Sequence, residues 1–327
     1  MRFLLITFVE NINKPLRKKP LGGIVNGFVL ALLVSFALLF SGCVSQPDAG
    51  AQQTGKLKVV ASFYPMYDFA KNVGGERASV SVLIPPGVEP HNFEPSPSAI
   101  KQLSEADVFI LNGAGIEKWA PSLVEGVGNK KLVVVDTSKS VSLLSSQDPD
   151  TVGSDPHIWL NPVNAKKQVE AIKDAFIAAD PEGKAYYEAN AAAYSAKLDS
   201  LDGKFKALLP TCKKKDILIT HATLAYFCQE YGCRQIPIEG VSEEGEPSPA
   251  ELASIVDQAR AQNVTAVFFE SLISPKSAQT LASEIGAQAL VFNTVHGVTP
   301  EEEAKGENYL SLMVENLAII KKGLDCS

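Results

Sequence analysis

A chain of 327 residues with 46% hydrophobic and 20% charged residues is globular in composition and long enough for two lobes of ordinary size. The formal charge of −7 argues against nucleic acid as a partner and is compatible with a cationic ligand. Extended disorder is excluded outside short segments.

The N-terminus carries Lys14, Arg17, Lys18 and Lys19, then an almost uncharged stretch from Leu21 to Phe40 that runs into Ser41-Gly42-Cys43. A basic region, an apolar core and small residues before a cysteine form the layout of a secretory signal. The same stretch is about long enough to span a bilayer as an uncleaved anchor, but the small residues before Cys43 and the polar tether from Ser45 to Lys56 favour export and processing. Ser-Gly-Cys resembles the lipobox of exported lipoproteins, with Phe40 where leucine is usual. That resemblance implies a signal peptide over 1–42, a lipid-bearing Cys43 and a flexible tether over 43–55. In either case the bulk of the chain is expected outside the cytoplasm, held at the membrane. Removing residues 1–42 takes away five basic residues and one acidic one, so the formal charge becomes −11.

From Lys56 onward β-branched runs alternate with amphipathic stretches. Strands are predicted at Leu57–Ser62, Val80–Ile84, Val108–Asn112 and Leu132–Asp136, then at Ile217–Thr220, Gln235–Ile238, Ala266–Phe269 and Ala289–Asn293. Most are continuous apolar runs, as parallel strands buried on both faces require. Each half is therefore an α/β unit: a first lobe over 56–162 and a second over 210–327, each a mostly parallel sheet flanked by helices. Between them, 163–209 shows no strand signal and an Ala-, Glu-, Lys- and Tyr-rich pattern from Pro181, so it reads as a stiff helical connector. Helix starts are marked where a capping residue precedes proline: Ser96-Pro97, Asn161-Pro162, Ser248-Pro249, Ser274-Pro275 and Thr299-Pro300. Glu251 and Glu302 complete capping boxes. The helix after Ser248 is expected to bury Leu252, Ile255, Val256 and Ala259. The turn-rich 145–155 segment, with Asp148, Asp150 and Asp155, reads as an exposed loop.

Five cysteines occur. In an exported protein Cys212, Cys228, Cys233 and Cys326 are expected as disulfides or free thiols, with three pairings open. Cys228 and Cys233 lack the CxxC spacing of a zinc knuckle.

The chain has only four histidines: His91, His157, His221 and His296. Each lies in a short loop after a strand-like run or before a helix start, and imidazole is the commonest side-chain metal ligand. Four ligands so far apart in sequence can meet only through folding. In open α/β sheets ligands bind beyond the carboxyl ends of the strands, so two histidines from each half would face one interlobe cleft. Any one of them alone is more simply a hydrogen-bonded loop residue; the common placement of all four points to a metal site. A zinc hydrolase would use three histidines and a water with a general base beside it, and no His-Glu-x-x-His motif is present. A surface adhesin with a structural metal would share the same ligands.

Pro-His-Asn-Phe-Glu-Pro-Ser-Pro at 90–97, Asp-Pro-His-Ile-Trp-Leu-Asn-Pro at 155–162 and Thr-His-Ala-Thr-Leu-Ala-Tyr-Phe at 220–227 resemble the zinc- and manganese-binding solute-binding proteins of ABC importers. The similarity runs from Lys56 to the C-terminus and includes Glu246-Pro247-Ser248 and Tyr309-Leu310. It implies two α/β lobes joined by one long backbone helix, a non-enzymatic monomer, a metal between the lobes, and His91, His157 and His221 as ligands. The fourth position departs from the family: His296 stands on a loop that often supplies aspartate, and Asn293, a carboxylate such as Glu270, or water could take its place. Imidazole-rich shells suit Zn2+, whereas Mn2+ prefers oxygen, so zinc is the expected cargo and a membrane permease the expected partner. Helix N-termini near the histidines would oppose a dication, so acceptors for the other ring nitrogens are needed.

Overall fold

The computed structural model describes residues 55–146, 153–238, 249–272 and 275–327. Within them the strands β1 (Leu57–Ala61), β2 (Ala78–Val82), β3 (Val108–Leu111) and β4 (Val133–Asp136) form one sheet in the order β2-β1-β3-β4. The strands β5 (Asp216–Ile219), β6 (Arg234–Pro237), β7 (Ala266–Phe269) and β8 (Gln288–Val291) form a second sheet in the equivalent order β6-β5-β7-β8. Every neighbouring pair is parallel. All eight predicted strands form, with ends displaced by up to two residues. The apolar runs explain the order: Val108, Phe109 and Ile110 of β3 and Ile217, Leu218 and Ile219 of β5 are fully buried and central, while β2 and β4 expose alternate or most positions at the edges.

The helices, in chain order, are α1 (Tyr64–Gly74), α2 (Pro97–Ser104), α3 (Ala120–Val127), α4 (Pro162–Ala179), α5 (Lys184–Leu208), α6 (Ala225–Tyr231), α7 (Pro249–Ala261), α8 (Lys276–Ile285), α9 (Pro300–Lys305) and α10 (Tyr309–Gly323). Asn161 caps α4 by accepting the Val163 amide, and Thr299 and Glu302 form the expected capping box on α9. Ser96 stands at the start of α2, but its hydroxyl bonds Ser98 and leaves the cap unmade. Pro275 occupies the N-cap of α8, one position earlier than the Ser274-Pro275 reading places it. Leu252, Ile255, Val256 and Ala259 of α7 pack on the outer face of the second sheet as expected. Ser248 and Glu246 lie outside the described residues, as do Cys43, Asp148 and Asp150.

The 163–209 connector is helical except at one place. Asp180 and a 3-10 turn over Pro181–Gly183 divide it into α4 and the 25-residue α5, which pack side by side. The turn is pinned because the Asp180 carboxylate accepts from Arg77 Nη2 at 2.8 Å and from the Tyr187 hydroxyl at 2.7 Å. The long backbone helix is therefore α5.

One apolar core runs through both lobes, from Val59 and Ile110 through Phe63, Trp159 and Tyr309 to Phe268. Polar bonds reinforce this junction. Trp159 Nε1 donates to Thr294 O at 2.8 Å, the Tyr309 hydroxyl to Trp159 O at 2.6 Å, and the Tyr226 hydroxyl to Asp155 O at 2.8 Å. The lobes thus meet through packed core and not through a solvated hinge. Disulfides join Cys212 to Cys326 and Cys228 to Cys233, both in the second lobe. Among the described residues no helix is long and apolar enough to cross a membrane.

Candidate metal centre

In each sheet the chain leaves its first strand to one side and returns to the other, which opens a crevice between β1 and β3 and between β5 and β7. His221 lies two residues beyond β5, and Glu270 directly follows β7. His296 comes from the turn after β8. His91 follows β2, and His157 starts the 3-10 turn Ile158–Leu160 ahead of α4. The strand ends and capped turns bring all four rings together: their centroids lie 4.9 to 5.8 Å apart in every pairing. His157, His221 and His296 are buried, and His91 is partly exposed, so the cluster opens to solvent past His91.

Each buried ring is oriented from behind. Asp155 Oδ1 accepts the His157 main-chain amide at 2.8 Å and lies 2.9 Å from its Nδ1. Glu270 serves two rings at once, with Oε1 3.0 Å from His221 Nδ1 and Oε2 3.1 Å from His296 Nδ1. The Thr294 hydroxyl donates to Glu270 Oε2 at 2.7 Å and lies 2.8 Å from His296 Nδ1. Rings that give their Nδ1 protons to a carboxylate present Nε2 as a lone pair. The parallel planes of His221 and His296, 3° apart, follow from sharing one carboxylate. His296 is aimed by an unusual turn: Val295 adopts φ +54°, a region β-branched residues avoid, and its amide is held at 2.9 Å by Asn293 Oδ1.

The inward nitrogens fit a small dication. His91 Nε2 and His157 Nε2 are 3.3 Å apart. Four ligands at the 2.0–2.1 Å of zinc–imidazole bonds span tetrahedron edges of about 3.3–3.4 Å. One ligand atom from each of His91, His157 and His221 lies within 4.8 Å of the others. His296 Nε2 is buried and has no hydrogen-bond partner among the described residues. An unmet acceptor beside three converging imidazoles is what a bound cation would satisfy.

Electrostatics follow the burial. Desolvation, and then the charge that His157, His296 and His221 would carry, hold His91 well below the ordinary imidazole value. Burial likewise lowers His157, with His221 and His296 adding to it. Burial pushes Asp155 up to about 7 against the bond it accepts from the His157 amide. For Glu270 burial acts upward, but the charges and hydrogen bonds of His221 and His296 outweigh it and hold the carboxylate well below its usual range. These two acidic groups are the acceptors the sequence left unnamed, and the charge of Glu270, held ionised, offsets the helix ends that a dication would meet.

All four sequence-predicted histidines are brought together. Asn293 is committed elsewhere, accepting from Val295 and donating to Glu302 Oε1 at 2.8 Å. Glu270 stands behind the rings and not among the inward nitrogens. Asp155 lies inside a motif already singled out, yet its role shows only once the Nδ1 side of His157 is seen. Thr294 carries no sequence signal beyond its neighbour His296.

Two parallel-sheet lobes packed over converging buried imidazoles define a bilobal metal-binding protein. Residues 59–323 match the family model of the zinc-uptake complex component A, periplasmic (ZnuA). The chain belongs to this family. It is 37% identical over 308 residues to the high-affinity zinc uptake system protein ZnuA of Bacillus subtilis, covering 90% of this chain and 97% of that one. It is 36% identical over 306 residues to the zinc-binding lipoprotein AdcA of Streptococcus pneumoniae, covering 90% of this chain but only 60% of AdcA. The Zn(II)-bound ZnuA-like domain of S. pneumoniae AdcA superposes with a TM-score of 0.73 at 38% identity, over 83% of this chain and all of that domain.

Proposed function

We propose that the chain captures a zinc ion outside the cytoplasm through Nε2 of His91, His157, His221 and His296 and delivers it to the membrane permease of an ABC uptake system. Zinc is cargo here, and no bond is made or broken. The observation that supports this most directly is the approach of four imidazole rings, three of which have buried carboxylates on their Nδ1 sides, with one ligand atom each of His91, His157 and His221 within 4.8 Å of the others. A hydrolase would need its fourth position for water, whereas in this reading His296 takes it. An all-nitrogen shell favours zinc over manganese. Membership of a family of uptake components supports a location on the outer side of the membrane, and we extend this to an anchor on Cys43, a first lobe over 56–162, a connector over 163–209, a second lobe over 210–327 and a monomeric working state.

Metal content of protein purified without added metal, followed by competition titration with a zinc chelator, tests this. One zinc per chain is expected in the wild type, and its loss is expected in His157→Ala and His221→Ala. His296→Ala decides the fourth ligand: weakened zinc supports a four-imidazole shell, whereas unchanged affinity assigns that position to water. Stabilisation of the wild type by Mn2+ and not by Zn2+ would overturn the choice of cargo.

A further inference from the structure

A second set of ligand atoms overlaps the first. One carboxylate oxygen of Glu89 and one ring nitrogen each of His91 and His296 lie within 4.8 Å of one another. Glu89 and His91 are both partly exposed, while His296 is buried. This outer trio therefore sits where the cluster meets solvent and shares one ring, His91, with the inner trio of His91, His157 and His221.

The placement is held by the backbone. Glu89 Oε2 accepts the His91 amide at 2.7 Å and the Asn92 amide at 3.2 Å, folding the carboxylate back over its own turn. Two residues earlier, the Gly87 amide donates to Val298 O at 2.9 Å and clips this first-lobe strip to the loop that carries His296. A cavity of about 680 Å³, lined among others by Pro85, Val88, His296 and Gly297, borders the same strip and reaches the trio at His296.

The chemistry of the two sets differs. A mixed carboxylate and imidazole site accepts a hydrated dication more readily, while an all-imidazole site suits zinc stripped of water. Sharing His91 lets the ion pass inward by exchanging one ligand at a time, with Glu89 giving way to His157 and His221 and His296 retained in the four-imidazole shell proposed above. We propose that Glu89, His91 and His296 form an entry and exit station at the mouth of the cleft, through which zinc is both captured and released. This rests on the four-histidine reading given above.

Trp159, whose ring centroid is 5.0 Å from that of His296, supplies an intrinsic fluorescence signal for zinc arrival. Stopped-flow mixing of the apo protein with Zn2+, and of the zinc-loaded protein with excess chelator, measures the two rates. Glu89→Gln keeps an acceptor oxygen for the two amides and removes the anionic ligand. Both rates are expected to fall by about fivefold or more and by a common factor, because a station on the path lowers the barrier in both directions. Glu89→Asp, which keeps the charge on a shorter stem, is expected to recover part of the loss. Rates for Glu89→Gln within about twofold of wild type, or a faster release with slower capture, would overturn the proposal: the first leaves Glu89 as a turn cap, the second as a resident ligand. Retention of zinc by His157→Ala and His221→Ala would instead sink the site reading itself, so the two failures are separable.

Discussion

The two lobes contribute two histidines each, but they hold them differently. In the second lobe, His221 and His296 lean on one buried carboxylate, Glu270, and the same lobe carries both disulfides. In the first lobe, His157 has its own carboxylate, Asp155, while His91 stands partly exposed on a turn whose acidic neighbour Glu89 accepts two main-chain amides through Oε2. The second lobe is thus a pre-set half of the site, and the first supplies the half that meets the arriving ion. A cleft that must bind tightly and still load needs both: rigid, correctly protonated rings lower the ordering cost of binding, and one less enclosed ring leaves a way in.

The covalent side of that contrast carries the largest expected effect. Cys212 and Cys326 are 114 residues apart and Cys228 and Cys233 only five. In the chain-entropy account the long closure stabilises by about 4–5 kcal/mol and the short one by about 2 kcal/mol. Denaturant unfolding of Cys212→Ser/Cys326→Ser and Cys228→Ser/Cys233→Ser double variants should show the first losing more. Equal losses would remove the long closure as a distinguishing support of the second lobe.

Next in size are the rings. Outer-shell partners of metal ligands are worth about 10–100-fold in affinity, so removing a ligand itself is expected to exceed about a hundredfold for His221→Ala. His91→Ala, which deletes the one ring with access to solvent, should weaken zinc comparably at equilibrium. Chelator competition measures both; a full-affinity His91→Ala would show that the first lobe closes the shell with His157 alone.

The carboxylates follow. Glu270→Gln can accept from one Nδ1 but offers an amide N–H to the other, so one of two rings loses its tautomer and the site loses an anionic charge. A loss of about 10–100-fold in zinc affinity is expected, larger than for Asp155→Asn, which disturbs a single ring. The reverse ranking would contradict the idea that the second lobe is the more pre-set half.

Much of this was legible in the chain and some was not, for identifiable reasons. Continuous apolar runs such as Val108–Leu111 and Ala266–Phe269 state their own burial, so the eight strands and the two-lobed α/β plan follow from them. Four histidines at equivalent loop positions announce a shared centre. The break between α4 and α5 was signalled by Asp180-Pro181, the same kind of start as Asn161-Pro162, but the helix-favouring pattern on both sides concealed it. Disulfide pairing depends on which strand ends meet, which no spacing encodes. The roles of Asp155 and Glu270 required the direction of each Nδ1, because a carboxylate behind a ring and a carboxylate beside the metal read identically in sequence.

The smallest effect is the pH dependence of the first lobe's two rings. An ordinary imidazole titrates near 6.5, so zinc affinity would be expected to fall through that value, with two such rings together losing about fourfold at pH 6.5. Burial and neighbouring rings lower His91 and His157 well below it, so these two stay neutral at pH 6.5 and compete for no proton there. The same depression has a sign for the apo protein: because the unfolded chain takes up protons first, the stability these rings contribute is present above about 6.5 and is lost as pH falls below it. Ring-nitrogen NMR titration of the apo protein should place the His91 and His157 midpoints below the unfolded value. Midpoints at or above about 6.5 would break this part of the comparison.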